Sequence, residues 1–336
     1  SYVSPNGLVL TPILDARADA IYSDPDTLSQ TAIATAAGAL GTSYDNSPQY
    51  YRAMATGGLE ARWPILFSSP DATQVFEPVA QLFVRPDAPY QDRLGIPNED
   101  AQSMVFDASS LFERDKFSGY DRIEGGTRAN LGIRYSASLA NNWSANALFG
   151  QSYNLAGENP FAQPDLVSVG AYSGLDTDVS DYVGAVGFNN GDGISALADA
   201  RFDKDDLTLR RATVGAAASN GLVSLTGRYS FIDTQPLYGF PNDREEVSVG
   251  ASAHLNENWK IFGSATYNLA FDQMVNNSFG ISYADECLTY SIAYTQNTTL
   301  AYSGDILVPN DTTTNIGFFI SFRTLGDIGT NSAIPN

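Results

Sequence analysis

The side chains that do most protein chemistry are scarce here. The chain has one histidine, His254, and one cysteine, Cys287. Those two cannot supply the ligands of a Cys/His zinc site. Any nucleophile activated by histidine would have to use His254. No catalytic residue, metal ligand or cofactor is expected. What the chain does concentrate is charge of both signs among aromatics. Phe112, Arg114, Phe117, Gly119, Tyr120, Asp121 and Arg122 all lie within the run 110–124. Such a run is either a solvated loop or a specific plug, held on a polar wall by ion pairs and charge-assisted hydrogen bonds. We favour the plug, because opposite charges and rings occur together at this density.

The elements that would position this run show period two. Ala129, Leu131, Ile133 and Tyr135 alternate with Asn130, Gly132, Arg134 and Ser136. Val247, Val249, Ala251 and Ala253 alternate with Ser248, Gly250, Ser252 and His254, and similar patterns recur near 279–284, 288–295 and 316–323. Successive strand side chains point to opposite faces, so each segment has one apolar and one small, polar face. There are about fourteen such segments, many of them longer than the five or six residues usual in soluble strands. They fall near 8–22, 51–67, 73–86, 127–139, 143–155, 182–190, 193–203, 207–218, 221–232, 244–255, 258–270, 274–284, 287–297 and 312–324. Ten residues or so is what a tilted strand needs to cross a bilayer.

The connections alternate in length. Tight Asn/Asp/Gly/Ser turns are expected at 68–71, 140–142, 189–192, 219–220, 256–257 and 284–286. Most of the intervening connections are long: 23–50, 87–126, 156–181, 233–243 and 298–311. Short turns on one side and long loops on the other are the asymmetry of outer-membrane barrels. The expected fold is an all-β, antiparallel transmembrane β-barrel of outer-membrane type. It would run over 1–325 with a tail at 326–336, and 87–126 would fold into the lumen. Residues 29–41 suit a short helix or a further lumen loop. Trp63, Trp143, Trp259, Tyr267 and Tyr294 suit an aromatic girdle. On the polar face fall Glu60, Arg62, Glu77, Gln81, Arg85, Arg134 and Arg228, which would line the lumen or simply pair with one another. His254 falls there too and suits a structural role.

Composition agrees. The 336 residues are 43% hydrophobic, 12% aromatic and only 17% charged, with a net charge of −20. That balance excludes a general nucleic-acid binder, which needs a basic face. No apolar run is long enough for a transmembrane helix. The chain opens on Ser1 without Met, as a mature product or a fragment would.

The run 111–136 (LFERDKFSGYDRIEGGTRANLGIRYS) resembles the signature loop of the LPS-assembly family LptD, the lipopolysaccharide translocon of Gram-negative outer membranes. Three stretches in the same order are similar to that family: Leu59-Glu60-Ala61-Arg62-Trp63-Pro64 with Phe76-Glu77-Pro78-Val79-Ala80-Gln81, then the turn Tyr283-Ala284-Asp285-Glu286-Cys287, then 318–326. The resemblance implies a fragment of a larger barrel of about 26 strands. It implies lipopolysaccharide transport to the outer leaflet, without bond chemistry or cofactor. The partners implied are lipopolysaccharide, outer-membrane lipids, the lipoprotein plug LptE in the lumen and the bridge protein LptA through an absent N-terminal domain. Cys287 would form a disulfide to that domain, since the oxidising periplasm preserves one. Ile316, Phe318, Ile320 and Phe322 would form the last-strand side of a lateral gate. Two other classes compete. A general diffusion porin of about fourteen strands would close on itself. A barrel phospholipase would need His254 on the lipid side, where the pattern does not put it.

Overall fold

The structure is a computed structural model that describes residues 1–90, 93–96, 100, 104–163, 165, 170–303, 306–322 and 326–329. In chain order its elements are β1 (Tyr2–Val3), β2 (Val9–Tyr22), α1 (Thr27–Leu40), β3 (Ser43–Tyr44), β4 (Gln49–Arg62), β5 (Ile65–Ser69), β6 (Ala72–Val84), β7 (Arg93–Leu94), β8 (Thr127–Leu139), β9 (Ser144–Ala156), β10 (Tyr182–Asn189) and β11 (Ile194–Phe202). There follow β12 (Leu209–Ser219), β13 (Val223–Ile232), β14 (Arg244–His254), β15 (Trp259–Asn268), β16 (Gln273–Ala284), β17 (Leu288–Ser303), β18 (Ile306–Phe322) and β19 (Gly326–Gly329). The chain is all-β, and its long strands pair antiparallel as the period-two pattern predicts. Among the described residues no helix is long and apolar enough to cross a membrane.

Two compact units divide the chain. The first is Ser1–Ser138 with Asn146–Val186 and Asp199–Leu209. In it β2 pairs with β4 over fourteen registered residues, from Val9↔Arg62 to Tyr22↔Gln49. β4 pairs with β6, and β5 continues along β6. One long strand is expected over 51–67, but it breaks at Trp63–Pro64. Pro64 has no N–H to give a ladder, and the Trp63 N–H bonds the Pro78 carbonyl at 3.0 Å. The 29–41 stretch is helical. Asp26 caps α1 by accepting from the Ser29 N–H at 2.7 Å, and Gly41 ends it in the left-handed conformation.

The second unit is Leu139–Ala145, Gly187–Ala198 and Arg210–Asn336. It is a meander in which β12 to β19 pair each with the next. Its tight turns carry the expected chemistry. Asn141 and Asn142 both sit at positive φ, which Asn tolerates. Asp285 Oδ1 accepts the N–H groups of Cys287 and Leu288, both at 2.8 Å.

One expectation is corrected here. The span 298–311 is not a long loop. β17 and β18 stay paired out to Ser303↔Ile306, with a register shift between Thr299 and Leu300. Backbone pairing holds this extension together, and its residues, TTLAYS at 298–303 and ILVPND at 306–311, show no apolar alternation to reveal it. The shift falls where Pro309 faces Leu300, because proline cannot donate to the ladder.

Candidate functional site

The first unit holds its core in an unusual place. Besides Tyr50 of β4 and Phe83 of β6, its large buried apolar side chains form one cluster drawn mostly from two connections. Phe106, Leu111 and Phe117 belong to the connection before β8, and Phe161 and Leu175 to the one before β10. Val183 of β10 completes the cluster, with Met104, Phe112 and Leu148 packed against it. The Phe117 and Phe161 rings lie 4.7 Å apart. An irregular connection can be buried only if its backbone polar groups are satisfied, and Arg17 of β2, Arg52 of β4, Gln81 of β6 and Gln151 of β9 do that work together with the connection's own Asp100, Asp115 and Glu124.

Three sets of contacts hold the 110–124 run. The first is a row of charges on β4, β6 and β8. Arg62 Nε lies 3.0 Å from Glu60 and its Nη1 3.8 Å from Glu77, while Arg134 lies 3.6 Å from Glu77. The Arg134 guanidinium sits 4.6 Å above the Phe112 ring, a cation–π contact. Gln81 donates to Glu60 at 2.7 Å and to the Phe112 carbonyl at 3.2 Å. The structure thus brings Glu60, Arg62, Glu77, Gln81, Arg134 and Phe112 together.

The second set is buried. Arg128 Nε lies 2.6 Å from Glu124 Oε1, and Arg85 Nη1 lies 3.5 Å from the same oxygen. Glu124 Oε2 accepts the Lys116 N–H at 3.0 Å. Lys116 Nζ donates to Asn130 at 3.1 Å, and Asn130 donates to Gln81 at 3.0 Å. Arg128 also reaches Ser152 at 3.3 Å and Asn159 at 3.2 Å, tying in the connection before β10. Burial, with the neighbouring Glu124 carboxylate, pushes the Asp115 carboxyl up to about 6. Burial pulls the Lys116 ammonium down to about 8. Both follow from the cost of charge away from water.

The third set grips the tip. Asp19 of β2 pairs with Arg52 of β4 at 2.7 Å, and Arg52 donates to the carbonyls of Tyr120, at 2.7 Å, and Asp121. Arg17 also donates to the Tyr120 carbonyl. Asp100 accepts the N–H groups of Tyr120, Asp121 and Arg122. A Cβ at Gly119, which has φ 146°, would stand 1.9 Å from that carboxylate. Arg122 pairs with Asp165 at 2.7 Å.

Other expected residues lie elsewhere. The Arg114 side chain is exposed, and the contact of this residue with the wall is its carbonyl, which Arg85 holds. Tyr120 is 79% exposed; its carbonyl takes the arginine hydrogen bonds, and its ring meets only the Arg17 guanidinium, 5.4 Å from the centroid. Arg228 lies exposed on β13 in the second unit, opposite Gly215 and Ser248. Cys287 is exposed in the turn before β17 with its thiol unbonded. Ile316, Phe318 and Phe322 are exposed on β18, with Ile320 half-buried. Among the described residues no cluster of three metal-ligating side chains occurs. Sequence reasoning missed Glu124, Arg128, Asn130, Lys116 and Arg52 as a network. Arg128 and Asn130 share the face of Gly132 and Arg134 by alternation, and that was their only signal.

A profile of LptD, LPS transport system D, matches residues 1–259. LPS-assembly protein LptD of Vibrio cholerae is 25% identical over 291 residues, covering 79% of this chain and 35% of that protein. The Pectobacterium atrosepticum LptD is 27% identical over 248 residues, covering 68% of this chain and 29% of that protein. The chain thus spans about a third of the length of these relatives. A Rhodopseudomonas blastica porin triple mutant aligns with 84% of this chain and 85% of its own at 12% identity and a TM-score of 0.36, too low to carry weight. With the match covering most of its length, the chain belongs to the LptD family, LPS transport system D.

Proposed function

We propose that this chain is part of the wall of an outer-membrane β-barrel that moves lipopolysaccharide to the outer leaflet of a Gram-negative bacterium. The observation that carries the reading is the family match over residues 1–259. The barrel segment is 1–325, and 326–336 is a tail beyond it. The face bearing Glu60, Arg62, Glu77, Gln81, Arg134 and Arg228 is the lumen side, polar enough for saccharide. The 87–126 connection folds into that lumen, held through Phe112, Phe117 and the carbonyls around Tyr120. A lipoprotein of the LptE kind occupies the rest of the lumen. A periplasmic domain outside this chain docks an LptA bridge and supplies the disulfide partner of Cys287. β18, with Ile316, Phe318, Ile320 and Phe322, is one side of a lateral gate. No catalytic step is involved, since the task is transfer of an intact amphiphile.

The test is depletion of the native protein in its host, with complementation by full-length variants. Releasing the 87–126 connection with Glu124→Ala and Arg52→Ala together should lower newly surfaced lipopolysaccharide. If surface lipopolysaccharide stays normal on depletion while uptake of small solutes falls, the chain belongs to a diffusion pore and the reading fails.

A further inference from the structure

On the apolar face of the second unit, the strands β13 to β16 enclose an open trough of about 580 Å³. Its cross-section is one registered row, Leu225↔Ala251, Ala251↔Gly263 and Gly263↔Phe279. Directly opposed residues share a face, so the small pair Ala251 and Gly263 forms a floor between two large walls. Leu225 is 51% and Phe279 61% exposed, which marks walls that stand clear of the sheet. Ala265 extends the floor along β15.

The trough ends at an aromatic cluster on the same face. Trp259 meets Tyr283 at 5.1 Å and Tyr290 at 5.7 Å, both edge-on, and the two tyrosine rings lie 5.2 Å apart. Beyond the rings the turns are acidic. Glu257 and Glu286 are exposed, and Asp285 accepts the Tyr283 hydroxyl at 3.2 Å.

The dimensions select an occupant. From Trp259 to Ala265 is six residues, about 20 Å along a strand. At the usual barrel tilt that is about 15 Å of depth, half of a hydrocarbon core about 30 Å thick. The trough, lined on β15 from Ile261 to Ala265, together with the ring cluster at its end therefore spans one leaflet, from interfacial aromatics inward. The headgroup end presents carboxylates and ring faces, which attract an ammonium and repel phosphate-only headgroups. We propose that this trough is a binding site for one glycerophospholipid with a primary ammonium headgroup. An acyl chain lies on Ala251, Gly263 and Ala265, and the ammonium sits by Trp259, Glu257 and Glu286. The proposal rests on the reading that these strands cross the outer membrane.

The test is native mass spectrometry of the full-length protein with its partners, released from nanodiscs of equimolar phosphatidylethanolamine and phosphatidylglycerol. One phosphatidylethanolamine should stay bound, preferred about tenfold, the sum of a cation–π contact and two exposed ion pairs. Ala251→Leu and Ala265→Leu fill the floor and should each abolish retention, while heat-modifiable migration shows that the protein still folds. Glu257→Gln with Glu286→Gln should keep a lipid but cut the headgroup preference to the roughly two- to fivefold that the ring faces alone supply. Retention unchanged in both leucine variants, or equal retention of the two lipids by the native protein, overturns the proposal. Cysteine labelling at exposed Glu257 and Glu286 in intact and lysed cells tests the membrane-crossing reading separately. Loss of the membrane topology there would sink that reading, whereas normal topology with no retained lipid sinks only the trough.

Discussion

The Glu124 carboxylate and the Arg128 guanidinium lie 2.6 Å apart with both side chains 1% exposed. One partner belongs to a connection, the other to β8. The pair is therefore the point at which an irregular segment is tied to a regular one. Breaking a buried pair from one side leaves a charge with no compensation and costs about 3–5 kcal/mol. Glu124→Ala strands Arg128 and Arg85 together and should release the 104–126 connection. Limited proteolysis of the folded protein should then cut within 113–122 faster than in the native protein, whose segment is pinned by these contacts. Resistance equal to native would show that the apolar cluster alone suffices.

Packing makes an independent prediction. A Cβ at Gly150 would stand 2.3 Å from the Leu131 carbonyl and 2.6 Å from the Leu111 side chain. Neither a strand carbonyl nor a buried leucine can yield cheaply. Gly150→Ala should lower thermal stability by about 1–3 kcal/mol. Gly227, with open space at its Cβ position, serves as control, and its alanine variant should be nearly neutral.

The pH dependence has a definite sign. The folded chain holds the Asp115 proton up to about 6, against an ordinary 3.8. Its stabilising contribution is complete below pH 3.8 and is lost as pH rises through about 6. Lys116 is shifted the other way, from 10.5 to about 8. Its contribution is present above pH 10.5 and is lost as pH falls through about 8. Amide protection of 115–124, corrected for intrinsic exchange rates, should fall across the first window and rise across the second. Asp115→Asn should flatten the first slope only, and a slope that survives that change would remove Asp115 as its cause.

Arg52 is a test of guanidinium geometry. It holds Asp19 and two backbone carbonyls at once. A lysine ammonium cannot reproduce that fork. Arg52→Lys should therefore loosen the 119–122 tip nearly as much as Arg52→Ala, read as faster exchange of the Tyr120 and Asp121 amides. Full rescue by lysine would mean that charge alone matters.

The paired extension of β17 and β18 predicts slow exchange at alternate residues of 298–302 and 306–310, those whose N–H points into the two-stranded ladder. A mobile loop there would exchange at the rate of an unprotected peptide.

Period two is a local property, because alternate strand side chains face opposite ways whatever surrounds them. For that reason the strand order, the antiparallel fold class and the Asn/Asp/Gly turns were legible in the residues themselves. So were the polar partners Glu60, Arg62, Glu77, Gln81 and Arg134, each fixed by parity on its own strand. The aromatic, charge-dense run at 110–124 could be singled out by composition. What it grips could not, because Arg52 and Glu124 are 72 residues apart in sequence and their roles depend on which strands lie side by side. The same reason hid the joint core of Phe117 and Phe161, which belong to two different connections. The β17–β18 extension was missed for the opposite reason. Backbone hydrogen bonds hold it, and they leave no mark on side-chain pattern. Tertiary structure alone decided that charge on the wall and charge in the connection should meet as buried pairs, since only close packing removes the water that would otherwise keep them apart.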